Sequence, residues 1–276
     1  MEVLDGLVVR EKVLEEIKNK LGNISKRLGI AIISIGDSDV NDIYVRQKEK
    51  LFTSLGINFR DIRFGSDIEE SKILEIIDEL NNDQEIDGIM VELPIVGDFD
   101  RDKILNRIDY RKDVDGLTSI NRDKLFKGDK CMLSSTVEAI LEIFKCYDID
   151  LENKKIVIVG NGILVGKPLS ILLKNNNYDV MVCDSKTIDL DKKVNSADIV
   201  VSCVGKVNII TSEMLRDNQI IIDVGVNVKE GKVYGDVDRV LLDEKKIYIT
   251  PIKGGVGVVT VVSLVKNLIK CYEKDK

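Results

Sequence analysis

The sequence predicts two α/β domains, the C-terminal one a doubly wound, Rossmann-type parallel sheet, with a cleft between them. Three observations carry this. Short apolar, β-branched runs alternate with segments of helical period almost throughout the chain. The 276 residues, at about 100–200 per domain, fit two domains or one large α/β unit. Past the midpoint, an apolar strand runs into a glycine turn at 160–166 and then into a helical segment.

Strand candidates fall in order at 29–35, 57–64, 86–93, 155–160, 179–183, 198–203 and 219–224. Most are apolar on both faces, the pattern of parallel strands covered on both sides by helices. Helical periods fall between them at about 7–20, 39–55, 67–81, 135–147, 165–174 and 259–272. The polar stretch 109–130 reads as an irregular seam. Domains are therefore expected at 1–118 and 119–276, with the final helix (about 259–276) packing back onto the first.

Composition removes several chemistries. The chain has no His, so imidazole bases, His-ligated metals and Ser-His-Asp or Cys-His nucleophiles are excluded. Acid–base work must fall to Lys, Asp, Glu, Tyr or Cys. A net charge of −7 argues against nucleic-acid binding. The five scattered Cys form no CxxC pair, which suits a reducing cytoplasm without disulfides, and no metal is expected. The N-terminus shows no signal-peptide core, and Val256–Val265 is far shorter than a membrane span, so no membrane partner is expected.

In the second half, Gly160, Gly162 and Gly166 give GxGxxxG, with Asn161 and Val165 between them and Pro168 in the first helical turn. Glycines there let the backbone approach a pyrophosphate, whose charge then meets helix N-terminal amides. The next strand ends Cys183-Asp184-Ser185-Lys186-Thr187, where a ribose is read. An acid such as Asp184 favours the 2′-hydroxyl of NAD, or merely caps the turn. Ser185 with Lys186 suits the 2′-phosphate of NADP. Gly205 and the Gly225-Val226 pair also stand at strand ends, on the rim where a dinucleotide lies.

In the first half, Lys48 shares a helical stripe with Tyr44, Leu51, Phe52 and Leu55. It either snorkels to the rim or projects into a cleft as a proton shuttle. Glu92 interrupts an apolar strand at its carboxyl end and is the natural partner of Lys48. Lys112-Asp113-Val114-Asp115-Gly116 is a turn whose two acids face different ways. One of them can accept two N–H bonds from a flat heterocycle, or both can serve the turn. Near the end, Gly254, Gly255 and Gly257 bring backbone close to a ligand or a neighbouring domain.

Taken in order, these motifs strongly resemble one family, the bifunctional methylenetetrahydrofolate dehydrogenase/methenyltetrahydrofolate cyclohydrolases. They are Tyr44-Val45-x-x-Lys48, Asp87-Gly88-Ile89-x-Val91-Glu92-Leu93-Pro94, Lys112-Asp113-Val114-Asp115-Gly116, the 160–168 turn, Ile222-Asp223-x-Gly225, Gly235-Asp236-Val237 and Thr250-Pro251 with Gly254-Gly255-Val256-Gly257. The resemblance covers about residues 5–270. It implies NADP-dependent oxidation of 5,10-methylenetetrahydrofolate, hydrolysis of the methenyl product to 10-formyltetrahydrofolate, and a homodimer. It implies that Lys48 handles protons, Tyr44 stacks on the folate and Asp115 holds the pterin, with Gly254 and Gly255 at the substrate. Gly160, Asn161, Gly162, Ser185 and Val226 fall on its nucleotide-contact positions.

The chain also departs from the pattern. Glu92 stands where the family usually has Gln, and a carboxylate there favours the ammonium form of Lys48. The expectation is a weakened cyclohydrolase beside an intact dehydrogenase, or Glu92 acting as the base itself. Asp184 replaces a frequent His, leaving NAD open beside NADP. A shikimate-type dehydrogenase would not need the Tyr44/Lys48 pairing or the glycine loop. A non-catalytic nucleotide-binding regulator would not need Lys48 on an apolar stripe.

Overall fold

The computed structural model describes residues 1–36, 39–229, 232–240 and 242–274; of these, the side chains of 39–44, 229, 243 and 274 lie outside the description. In chain order the elements are β1 (Glu2–Val3), α1 (Gly6–Leu21), β2 (Gly29–Ile35), α2 (Asp39–Ser54), β3 (Asn58–Phe64), α3 (Glu70–Asn82), β4 (Gly88–Val91), α4 (Arg101–Arg107) and α5 (Ser119–Lys127). There follow α6 (Ser135–Cys146), β5 (Lys155–Val159), α7 (Gly166–Asn175), β6 (Asp179–Cys183), α8 (Leu190–Ser196), β7 (Ile199–Ser202), β8 (Ile220–Asp223), β9 (Asn227–Lys229), β10 (Lys232–Tyr234), β11 (Tyr248–Ile249) and α9 (Val256–Lys274).

Contacts divide the chain into two units. One joins Leu14–Ser135 with Val261–Lys276, and the other joins Met1–Val13 with Thr136–Thr260. The first carries a three-stranded parallel sheet, β3-β2-β4. Its central strand β2 is buried along its whole length, as a run that is apolar except for Ser34 requires. Helix α3 buries Ile73, Ile77 and Leu80, spaced to fall on one stripe. The second unit carries a six-stranded parallel sheet ordered β1-β11-β8-β7-β5-β6. Val157, Val159, Val200, Ile221 and Ile249 form its core with Ile210, Leu242 and Ile247. An antiparallel pair, β9 and β10, stands beside it as a separate ribbon.

The structure differs from the sequence expectation in several places. The supposedly irregular seam 109–130 contains α5, capped by Thr118 at its start and by the left-handed Gly128 at its end. The seven-residue helices α4 and α8 were not expected, nor were the short strands β1 and β11. The chain divides at 135/136 rather than 118/119, and its first residues go with the second half because β1 pairs with β11. From Val261 onward α9 groups with the first-half unit, where Asn267 Nδ2 donates to Val114 O at 2.9 Å and to Leu133 O at 2.8 Å.

Candidate functional site

Helix α2 turns Val45, Leu51 and Phe52 into the core, and Lys48 lies among them, 6% exposed. It does not snorkel. Its ammonium contacts a carboxylate oxygen of Glu92 and lies 3.8 Å from Met90 Sδ. Glu92 is 7% exposed and follows directly on β4, its backbone N–H donating to Ile33 O at 2.8 Å. Both charges are therefore out of water, and each is tolerable there only because of the other. A buried pair contributes little net stability over an apolar pair, so its presence directs attention to chemistry.

The turn after α4 separates its two acids. Asp113 is the structural one. Its carboxylate accepts from the backbone of Asp115, Leu117 and Thr118 (3.3, 3.2 and 2.9 Å), from Thr118 Oγ1 at 2.8 Å and from Asn121 Nδ2 at 2.9 Å. Asp115 is held differently, with Ser135 N–H and Oγ both donating to Oδ1 at 2.8 Å. Burial pushes its carboxyl above the usual carboxylate range, opposed by those two bonds and by the charge of Lys48. Lys48, Glu92 and Asp115 thus belong to one unit and one electrostatic neighbourhood. Tyr44 lies in α2, but its side chain is outside the described residues.

In the other unit, the turn after β5 needs its glycines for packing as well as for access. Gly160 has φ +113, and a Cβ on Gly166 would stand 2.0 Å from Gly160 O. That contact brings the first turn of α7 against the end of β5. Gly162 is exposed with open space over it, so nothing in the protein itself demands glycine there. Exposed backbone at 161–162 before a ten-residue helix is the shape that receives a pyrophosphate. Val165 is the N-cap of that helix. Beneath the turn, burial pushes the Cys203 thiol up to about 12, which keeps it a packing group.

Two buried acids build the neighbouring rim. Asp236 is fully buried and accepts from Ser202 Oγ (2.9 Å) and from the backbone N–H groups of Val204, Gly205 and Lys206 (2.7, 3.3 and 2.8 Å). It fixes the exposed loop that contains Gly205. Asp223, at the end of β8, accepts from Asp236 N–H at 2.9 Å, Val237 N–H at 3.4 Å and Arg239 Nη2 at 3.1 Å. Burial pushes its carboxyl up to about 6 against those bonds. The sequence marked Gly235-Asp236-Val237 only as part of a motif; a buried Asp after glycine, opposite a strand end, was the available signal.

Asp184 spends its carboxylate locally, Oδ1 accepting from Lys186 N–H at 2.9 Å, while Thr187 Oγ1 accepts from Asp184 N–H at 2.8 Å. Ser185 and Val226 are exposed. Gly254 and Gly255 meet Gly6, where a Cβ would stand 2.2 Å from Gly255 O. The close approach of the glycine loop is thus to the start of α1, within one unit.

A family model described as the tetrahydrofolate dehydrogenase/cyclohydrolase catalytic domain matches residues 4–115, and its NAD(P)-binding counterpart matches 134–276. The bifunctional protein FolD of Clostridium novyi (strain NT) is 41% identical over 271 residues, covering 96% of this chain and 97% of that protein. The bifunctional methylenetetrahydrofolate dehydrogenase/cyclohydrolase of Campylobacter jejuni superposes with a TM-score of 0.94 at 35% identity over 100% of both chains. The Trypanosoma brucei enzyme, solved with NADP and an inhibitor, superposes at 0.92 with 27% identity over 99% and 97% of the two chains.

Proposed function

The chain belongs to the tetrahydrofolate dehydrogenase/cyclohydrolase family, and on that premise we propose that it oxidises 5,10-methylenetetrahydrofolate with NADP and hydrolyses the methenyl product to 10-formyltetrahydrofolate. The observation that carries the reading is the buried Lys48–Glu92 contact in one unit with the buried Asp115, which Ser135 holds through Oδ1.

Each group has a distinct task. Oxidation needs two rings held in register more than it needs an acid or base. Asp115, anchored through Oδ1 by Ser135, is positioned to bind the pterin edge through its other oxygen. Hydrolysis needs one group to accept a proton from water and another to protonate a leaving nitrogen. Lys48 is the donor, and Glu92, in contact with it, is the acceptor. Tyr44, one turn before Lys48 on α2, is assigned to the folate ring by the family resemblance. Buried Gly160 with the exposed Asn161 and Gly162, and Val165, Gly166, Ser185, Gly205 and Val226, are the residues that would hold NADP, and the open space over Gly162 fits a pyrophosphate. NADP bound there would supply the hydride acceptor. With the Asp184 carboxylate committed to its own turn, Ser185 and Lys186 are left for a 2′-phosphate. A cytoplasmic homodimer is the reading that the scattered Cys and the family resemblance support. No helix among the described residues is long and apolar enough to cross a membrane.

The same contact favours a second reading, in which Lys48 is tied up by Glu92 and leaves hydrolysis slow beside dehydrogenation. Methenyltetrahydrofolate and reduced nicotinamide both absorb in the near ultraviolet. Mixing the protein with methylenetetrahydrofolate and either dinucleotide therefore reads both steps. Absorbance that rises with NADP, followed by decay of the methenyl band, is the expected course. No signal with either dinucleotide overturns the assignment.

A further inference from the structure

We propose that Ser34 binds the water consumed in hydrolysis and orients it toward the Lys48–Glu92 pair; the inference rests on the hydrolytic reading of that pair. Ser34 stands at the carboxyl end of β2, one residue before its last. The register pairs Ile32 with Met90 and Ile33 with Val91, so Ser34 falls beside Glu92. Side chains alternate along strands, which places Ile32, Ser34, Met90 and Glu92 on one face. That is the face reached by Lys48, whose ammonium touches both Met90 and Glu92.

Ser34 is 7% exposed, and its hydroxyl has no hydrogen-bond partner among the described residues. Buried hydroxyls are nearly always paired, because desolvation without a bond is a net loss. Its neighbours Ile30, Ile32, Ile33 and Ile35 are fully buried and apolar, so an aliphatic residue would suit the position better for folding alone. The hydroxyl is instead one strand away from the Lys48–Glu92 pair. A serine can donate one bond and accept others, which lets it hold a water with a lone pair toward carbon and a proton toward a carboxylate.

The step balances with the groups named. The water oxygen bonds to the cationic methenyl carbon, and one of its protons passes to the Glu92 carboxylate. When the carbon–nitrogen bond on one side breaks, that nitrogen takes a proton from Lys48, which recovers one from the hydroxyl on carbon, and the formyl group stays on the other nitrogen. The proton on Glu92 then returns to solvent.

The test uses the full-length chain and compares wild type with Ser34→Ala, Ser34→Thr and Lys48→Met. It follows decay of methenyltetrahydrofolate absorbance, corrected for the uncatalysed rate, together with thermal unfolding. Ser34→Ala is expected to lower kcat for hydrolysis at least about 10-fold with KM for the methenyl substrate unchanged. Its Tm should equal or exceed that of wild type, and Ser34→Thr should restore most of the rate. A purely structural serine would lower rate and Tm together, and that result overturns the proposal. So does an unchanged hydrolysis rate, or a rise in KM with kcat intact. A Lys48→Met variant that hydrolyses as fast as wild type refutes the reading of the pair itself, whatever Ser34 does.

Discussion

Replacing Asp223 with Asn is expected to remove a pH-dependent loss of stability of about 3 kcal/mol. The carboxyl is 5% exposed and burial raises it from the ordinary 3.8 to about 6. Bonds from Asp236 N–H and Arg239 oppose the rise without cancelling it. Between those two values the unfolded chain has given up a proton that the folded protein keeps. The stabilisation that comes with the neutral form is complete below about pH 3.8, falls as pH rises, and is gone above about pH 6. At about 1.36 kcal/mol per pH unit, the interval amounts to about 3 kcal/mol. Asn has the same shape and keeps an acceptor for Asp236 N–H, but it does not titrate. Urea unfolding of both proteins at pH 4, 5, 6 and 7.5 gives the comparison. The stability of wild type minus variant should fall steadily from pH 4 to 6 and then level off. Parallel curves would refute the assignment of a proton to buried Asp223. Carboxylates lowered by partners, such as Asp198 with Lys155 N–H and Arg216, are present in both proteins and drop out of the difference.

Three further outcomes follow from the geometry. Asp236→Ala removes the acceptor of three loop N–H groups, so KM for the dinucleotide should rise more than kcat falls, as read by steady-state kinetics. Gly166→Ala would place a Cβ 2.0 Å from Gly160 O, so titration calorimetry should show dinucleotide binding lost or weakened by at least about 10-fold. Glu92→Gln removes the proposed proton acceptor, so the ratio of hydrolysis to dehydrogenation should fall; a rise would mean that Glu92 restrains Lys48 instead.

The strands that position both halves of the site were legible because β2, β4, β5, β7 and β8 are short, mainly apolar and β-branched runs, and such runs have few alternatives to a buried parallel strand. Two-residue strands such as β1 and β11 carry no period at all, so only the tertiary pairing reveals them. Helix α5 escaped notice because it buries the polar Asn121 beside Leu125 while exposing Ile120 and Phe126, which inverts the usual stripe. At the site, Lys48 was visible as a charge on an apolar stripe. The division of labour between Asp113 and Asp115 came only from the family resemblance, since both lie in one turn and only Thr118, Asn121 and Ser135 separate their roles. Asp236 acts across thirty residues of sequence, a distance that local patterns do not encode.

The central claim is that Lys48, buried against Glu92, handles the proton of a folate one-carbon reaction. Lys48→Met keeps the length and apolar stem of the side chain and deletes the charge. Hydrolysis of methenyltetrahydrofolate by this variant, monitored in the near ultraviolet against wild type, tests that claim most directly. A fall of about 100-fold or more in kcat, with dinucleotide affinity retained by titration, is the predicted result. Hydrolysis at the wild-type rate would contradict it.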